Sequence, residues 1–390
     1  DDMWGCMKNK TEIRVEVGSV ASTHMSGVGY YTQQLTDALA LYPGTTVRAS
    51  YYNFLGRQPR PTFDNHVIVE ENSLFPLRIY AKLQSHKLAL PFDLLSKPVD
   101  LTIHTNYARW PTVRSRYVAT AIYDLTFIHY PELIEKNNLP HLQRVVPRAI
   151  KSSDLLITDS EAVKTELIQS YAVSPDKIIV TPIPPSDQFF KENSADIHTR
   201  YNIPTKKYIL FLGTVEPRKN LPILIEAYAK LDSALTNEYS LVIAGGSGWK
   251  SERTQLAIKT AQEKGLSVIQ TGYVDNADKS ALYQKASLFV MPSLYEGFGM
   301  PILEAFASHT PVIASDIPVL HEAGGQGALY FRPDSAEELK NAVVSVLGDS
   351  KLQSKMLNLA TKHLKSFSWA DNAKLIVDAI KMLDDSKGAT

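Results

Sequence analysis

Short apolar runs rich in β-branched residues alternate along this chain with longer amphipathic stretches. That alternation is the sequence form of repeated strand and helix units around parallel sheets. In the first half, residues 13–17, 47–51, 101–104, 118–123 and 155–158 read as strands. In the second half the strands fall at 208–212, 240–244, 268–271, 288–291 and 311–314. The stretches between them predict helices over 30–40, 142–152, 161–171, 221–230, 253–264, 279–285, 302–308 and 336–347. Two sets of five strands imply an α/β chain with two doubly wound, Rossmann-like parallel-sheet domains facing a cleft.

The break between the sets is marked by Thr181-Pro182-Ile183-Pro184-Pro185-Ser186, since prolines continue neither a ladder nor a helix interior. The expected organisation is an N-terminal domain over 11–186, a polar linker over 187–205 and a C-terminal domain over 206–366. A last amphipathic stretch, 367–386, either completes the second domain or crosses back to the first.

Composition narrows the class. At 390 residues the chain is long enough for two or three domains, each with its own core. Lys plus Arg equals Asp plus Glu at 41 each, which removes the bulk electrostatic argument for a nucleic-acid wrapper. The single cysteine, Cys6, excludes an internal disulfide framework and fits a reducing, cytoplasmic compartment. No apolar run approaches the roughly 18 residues of a membrane span, and the acidic start, Asp1 to Cys6, has no signal-peptide core and is expected outside the fold. There is neither an Asp-x-Asp pair of the kind that holds a divalent cation on a nucleotide-sugar nor a Cys/His cluster with metal spacing, so no metal or other cofactor is expected.

The most informative stretch runs from Met291 to Ala307. A strand ends near Met291, a Gly-punctuated loop follows, and Pro301 sits where the first helical residue should be, because its missing N–H costs nothing there. Gly297 and Gly299 let backbone approach a ligand, and the amides around Met300 to Leu303, with the helix dipole, suit an anion such as a pyrophosphate. Glu296 precedes this turn and Glu304 falls in the first helical turn, placed to accept hydrogen bonds from vicinal hydroxyls. The plainer alternative is that Glu304 only favours the dipole and Glu296 only caps a turn. A second group, Arg218 and Lys219 in the loop after strand 208–212, lies where open α/β sheets bind ligands and would neutralise a diphosphate; the alternative is a solvated helix-start pair.

Glu296 and Glu304, with seven residues between them inside SLYEGFGMPILEAFA and followed by TPVIASDIPVLHEAGG, resemble the E-x7-E signature of the retaining glycosyltransferases of family 4, which have the GT-B fold. SGVGYYTQQL at 26–35, YDLTFIHYPE at 123–132, TDSEAVKTEL at 158–167, GTVEPRKNLPILIEAY at 213–228 and TGYV at 271–274 extend the resemblance from about residue 13 to 370.

The resemblance implies a metal-independent transferase that moves a sugar from a nucleotide-diphosphate sugar on the C-terminal domain to an acceptor on the N-terminal one. Glu296 would position the sugar, Glu304 hold the ribose, and Arg218 with Lys219 stabilise the leaving group. The backbone of Tyr273 and Val274 would meet the base, and Phe298, Met300, Pro301 and Leu303 would line the donor site. Gly27 and Gly29, as a loop after the first strand, would face the donor phosphates, although a tight strand-to-helix turn explains them equally. Asp124 and His129 are the acceptor-side candidates, with a structural network as the alternative. Thr214 stands where many relatives carry Arg, and Tyr123 where many carry His. The EPRKN and YDLTF segments resemble mannosyl- and related transferases of bacterial surface polysaccharides, which points to GDP-mannose and a glycan or lipid-linked glycan acceptor. A GT-B sugar-nucleotide epimerase and a non-catalytic GT-B binding subunit are the rival readings.

Between residues 75 and 117, Arg78, Lys82, Lys87, Lys97, Arg109, Arg114 and Arg116 face only Asp93 and Asp100. Leu77, Tyr80, Ala81, Leu83 and Leu88 are interleaved at rough helical spacing, so the segment reads either as a solvated helix face or as a peripheral contact with an anionic membrane at its inner face.

Overall fold

The computed structural model describes residues 10–21, 26–53, 56, 58–73, 90–204 and 207–388. The chain divides into two compact units. The first takes the chain up to His129, Lys136–Ile183 and Ser368 onwards; the second takes Tyr130–Glu135 and Pro184–Phe367.

The first unit is built on seven strands: β1 Thr11–Glu16, β2 Thr45–Tyr52, β3 Val67–Asn72, β4 Val99–His104, β5 Ser115–Ala121, β6 Leu155–Thr158 and β7 Ile178–Val180. They lie in the order β3-β2-β1-β4-β5-β6-β7, and every pairing is parallel. The central strands are buried on both faces: Ile13, Val15, Leu101 and Ile103 share one face and Arg14, Thr102 and His104 the other, all fully inaccessible. Where both buried faces are apolar, as at Leu155, Leu156 and Ile157 of β6, the strand reads as a continuous apolar run.

The second unit has six parallel strands, β8 Lys207–Leu212, β9 Tyr239–Ala244, β10 Val268–Gly272, β11 Leu288–Met291, β12 Val312–Ser315 and β13 Ala328–Phe331, ordered β10-β9-β8-β11-β12-β13. The expected five strands per domain are thus seven and six among the described residues. The additional strands β3, β7 and β13 are all sheet edges.

The helix Trp369–Gly388 belongs to the first unit. The Trp369 ring lies 6.2 Å from that of Tyr30 and 5.7 Å from that of Tyr31. Asn372 Nδ2 donates to the Pro182 carbonyl at 2.7 Å, and Asp384 accepts from the Tyr117 hydroxyl at 2.9 Å. The stretch read as a linker carries short helical turns at Asp187–Phe190 and Ile197–Arg200 and is fastened to the helix Asn276–Lys285. There Asn193 Nδ2 meets Ser280 Oγ at 2.9 Å, and the Tyr201 hydroxyl meets Asp278 at 2.7 Å. Its polar side chains find partners within the second unit, so described residues 187–204 are part of that unit rather than a spacer.

Residues 74–89, with most of the expected amphipathic basic face, lie outside the described residues. Of the described members of that segment, Arg116 is paired with Asp384 at 2.8 Å. No described helix is long and apolar enough to cross a membrane.

Candidate active site

In the second sheet the strand order reverses between β8 and β11. The loops at their carboxyl ends therefore diverge and leave a crevice where open parallel sheets take ligands. The loop after β8 runs from Gly213 into a short turn at Pro217–Lys219, and the loop after β11 runs to the helix Met300–Ala307. The Leu294 N–H donates to the Arg218 carbonyl at 2.9 Å and ties the two loops together.

Between these loops sits a buried charge cluster. Glu296, only 6% exposed, accepts from Lys219 Nζ at 2.5 Å and from Ser293 Oγ at 2.6 Å through Oε1, and pairs with Arg218 through Oε2. Arg218 also donates to Glu216 at 2.8 Å and to the Tyr295 carbonyl at 3.0 Å. Burial pushes the Glu296 carboxyl up, but Arg218 and Lys219 with the hydrogen bonds from Lys219 and Ser293 outweigh it and hold the group at about 2. Glu296 is therefore ionised at any ordinary pH, and the two cations are fixed in place by Glu216 and Glu296. The structure thus joins the three residues that the sequence placed in separate motifs.

Glu304 takes a different partner. It accepts from the Tyr283 hydroxyl at 3.0 Å, and Tyr283 is itself buried against Phe289, with ring centroids 5.2 Å apart. Burial raises the Glu304 carboxyl, opposed by Lys279 and the Tyr283 hydrogen bond.

The helix starts at Met300, one residue before the expected Pro301. Its N-cap is Gly299 at φ 118°, a conformation that favours glycine, and a Cβ there would meet Leu320 at 2.9 Å and Ala323 at 3.1 Å. Pro301 brings no amide, and the Ile302 N–H is bonded to the Gly299 carbonyl at 3.0 Å, so fewer than four amides remain for an anion. The side chains of Phe298 and Leu303 are buried, which leaves their backbone as the part able to face a ligand. Gly297 is half-buried in the loop. After β10, Tyr273 is 61% exposed while Val274 is buried.

Sequence reasoning missed three contributors. Ser293 and Glu216 stand inside the quoted motifs, and their roles follow only from the packing of one loop on the other. The third is the run Gly245-Gly246-Ser247-Gly248 after β9. A Cβ on Gly245, at φ 136°, would lie 2.0 Å from the Gly213 carbonyl oxygen, so only glycine lets the loops after β8 and β9 meet. The Val215 N–H then bonds to the Gly246 carbonyl at 2.9 Å. A glycine-rich run directly after a strand was the available signal.

The remaining candidates belong to the first unit. Gly27 and Gly29 are not in a loop: the helix runs Gly27–Leu41, and the Ser26 hydroxyl caps it by accepting the Gly29 N–H at 3.3 Å. The N-cap serine moves the helix start three residues ahead of Tyr30. Asp124 accepts from the Tyr107 hydroxyl at 2.9 Å and the Thr126 N–H at 3.0 Å, and His129 Nε2 lies 3.4 Å from Glu166.

A family model described as glycosyl transferases group 1 matches residues 193–363, the segment that holds this crevice. The chain is a glycosyltransferase. This glycosyltransferase is 28% identical over 273 residues to the O-antigen chain mannosyltransferase B of Escherichia coli, covering 69% of this chain and 71% of that protein. It is 29% identical over 248 residues to the serotype-specific mannosyltransferase WbdA of Escherichia coli, covering 61% of this chain but only 30% of that longer protein. Among solved structures it is similar to sucrose-phosphate synthase from Thermosynechococcus elongatus, with a TM-score of 0.73 at 19% identity over 97% of this chain and 100% of the other. At that identity the likeness speaks for fold, and the fold is GT-B.

Proposed function

We propose that this glycosyltransferase is a retaining, metal-independent enzyme that moves mannose from GDP-mannose to a glycan or lipid-linked glycan. The observation that carries the reading is Glu296 buried between Arg218 and Lys219 at the carboxyl ends of β8 and β11. Departure of a nucleoside diphosphate concentrates negative charge on one bridging oxygen, and cations already held by protein groups stabilise it without reorganising. Arg218 supplies the planar fork suited to phosphate oxygens and Lys219 a point charge. A carboxylate offers about four lone-pair positions. Three at Glu296 are occupied, and the fourth would accept a hydroxyl of the transferred sugar.

Glu304, oriented by Tyr283, would accept from the ribose diol, while Gly297, Gly299 and Met300 bring backbone towards the diphosphate. Tyr273 and Val274 would offer backbone groups to the base. In the first unit Asp124 and His129 are proposed for the acceptor. The acceptor hydroxyl would attack the face the leaving group departs from and pass its proton to a donor phosphate oxygen, so no enzyme nucleophile is needed. The names of the mannosyltransferase relatives support mannose as the sugar.

Thermal shift against a panel of nucleoside diphosphates tests the donor, since a ligand of the native state raises stability with its affinity. GDP should give the largest shift; a larger shift with UDP would replace the mannose assignment. Activity should survive EDTA, and complete inhibition reversed by a divalent cation would overturn the metal-independent mechanism.

A further inference from the structure

The helix Ser350–Leu364 contains no acidic residue. Its inner face is seated tightly on the second unit: Met356 and Ala360 are buried, and a Cβ on Gly327 would lie 2.8 Å from the Ala360 Cα. On the opposite face Lys351, Lys355, Lys362 and the C-cap Lys365 are all exposed. At 3.6 residues per turn these four fall within about 80° of one another and extend over about 21 Å. Ser354 and Asn358 lie between them, along a shallow open depression.

Elsewhere several lysines pair with carboxylates: Lys230 with Glu226, Lys340 with Glu337, Lys374 and Lys381 with Asp378. Among the described residues, none of the four lysines on this helix has an ion-pair partner. The adjacent carboxylate, Asp349, is occupied at the N-cap, accepting from the Lys351 and Leu352 N–H groups at 2.8 and 3.1 Å. Like charges one turn apart, as at Lys351 and Lys355, repel, so the stripe costs stability unless something anionic meets it.

We propose that this lysine stripe docks the protein on an anionic lipid bilayer. A straight row of four ammonium groups matches many headgroups in a plane rather than a single phosphate. The row uses lysine, a point charge, with no arginine for bidentate recognition and no aromatic ring for stacking on bases. With no large apolar side chain projecting from it, the contact is superficial and salt-sensitive. The inference does not depend on the donor or the transfer reaction.

Co-sedimentation with phosphatidylcholine vesicles, with and without phosphatidylglycerol, tests it. The full chain should bind only the anionic vesicles at low salt and release at high salt. Each lysine removed should lower partitioning about fivefold. The double variant Lys355→Gln/Lys362→Gln and the quadruple variant K351Q/K355Q/K362Q/K365Q should therefore lose binding in steps, with thermal-shift responses to nucleoside diphosphates unchanged. If the quadruple variant fails to fold, the double variant carries the reading. Failure to bind anionic vesicles, equal binding by the double variant and the wild type, or binding to a DNA oligonucleotide without binding to vesicles would each overturn the proposal.

Discussion

Lys219 Nζ donates to Glu296 Oε1 at 2.5 Å, although 77 residues separate them in the chain. The contact exists because β8 and β11 are neighbours in the sheet, with β9 and β10 placed on the far side of β8. Each residue therefore depends on the other for its place, and the cluster responds as a unit to any change in one member.

Glu296→Gln removes one charge from a buried group of four and leaves Arg218 and Lys219 with Glu216 alone. Breaking such a pair costs about 3 to 5 kcal/mol, and chemical denaturation should show a loss of that order. The pH dependence carries the same signature. The folded carboxyl is held at about 2 against 4.5 without the site, so its stabilisation is complete above about pH 5 and is lost as pH falls towards 2. Unfolding midpoints of the wild type should fall through that window, and those of Glu296→Gln should fall less steeply. Parallel curves would show that the cluster is not what titrates.

Glu304→Ala should weaken binding of the nucleoside diphosphate by about 1 to 3 kcal/mol, the cost of leaving partner hydroxyls unpaired. Tyr283→Phe removes only the 3.0 Å hydrogen bond that orients the carboxylate, so its effect should be smaller. Calorimetry with GDP reads both, and an unchanged affinity in Glu304→Ala would remove that residue from the ribose.

Trp369→Ala should destabilise the first unit by about 3 kcal/mol, the usual cost of deleting a large packed ring. The expectation rests on the contacts of Trp369 with Tyr30 and Tyr31. A chain ending at Phe367 should lose more, because the bonds from Asn372 to Pro182 and from Tyr117 to Asp384 go with the helix. Denaturation midpoints equal to the wild type would show the helix to be dispensable to the unit it packs on.

The doubly wound architecture was legible because central strands such as β8 and β11 are buried on both faces and carry the unbroken apolar runs 208–212 and 288–291. The strands that sequence reasoning missed are edges. β3, Val67–Asn72, carries Glu70 and Glu71, which serve Arg48 and Tyr51 instead of a core, and β7 is only three residues long. An edge strand has one ladder and little burial, so its periodicity is weak. At the site, the local motifs around Glu296 and Arg218 were readable. Their pairing was not, because it is set by strand order, and neither was the approach of Gly245 to Gly213, which depends on two loops meeting.

The most direct test is the kinetics of Lys219→Met with GDP-mannose, in protein that circular dichroism shows folded at the assay temperature. Lys219 is proposed to meet charge that grows as the diphosphate departs, so kcat should fall about 100- to 1,000-fold while KM for the donor changes far less. A loss confined to KM, with kcat intact, would mean that the cluster only binds the donor and would contradict the account.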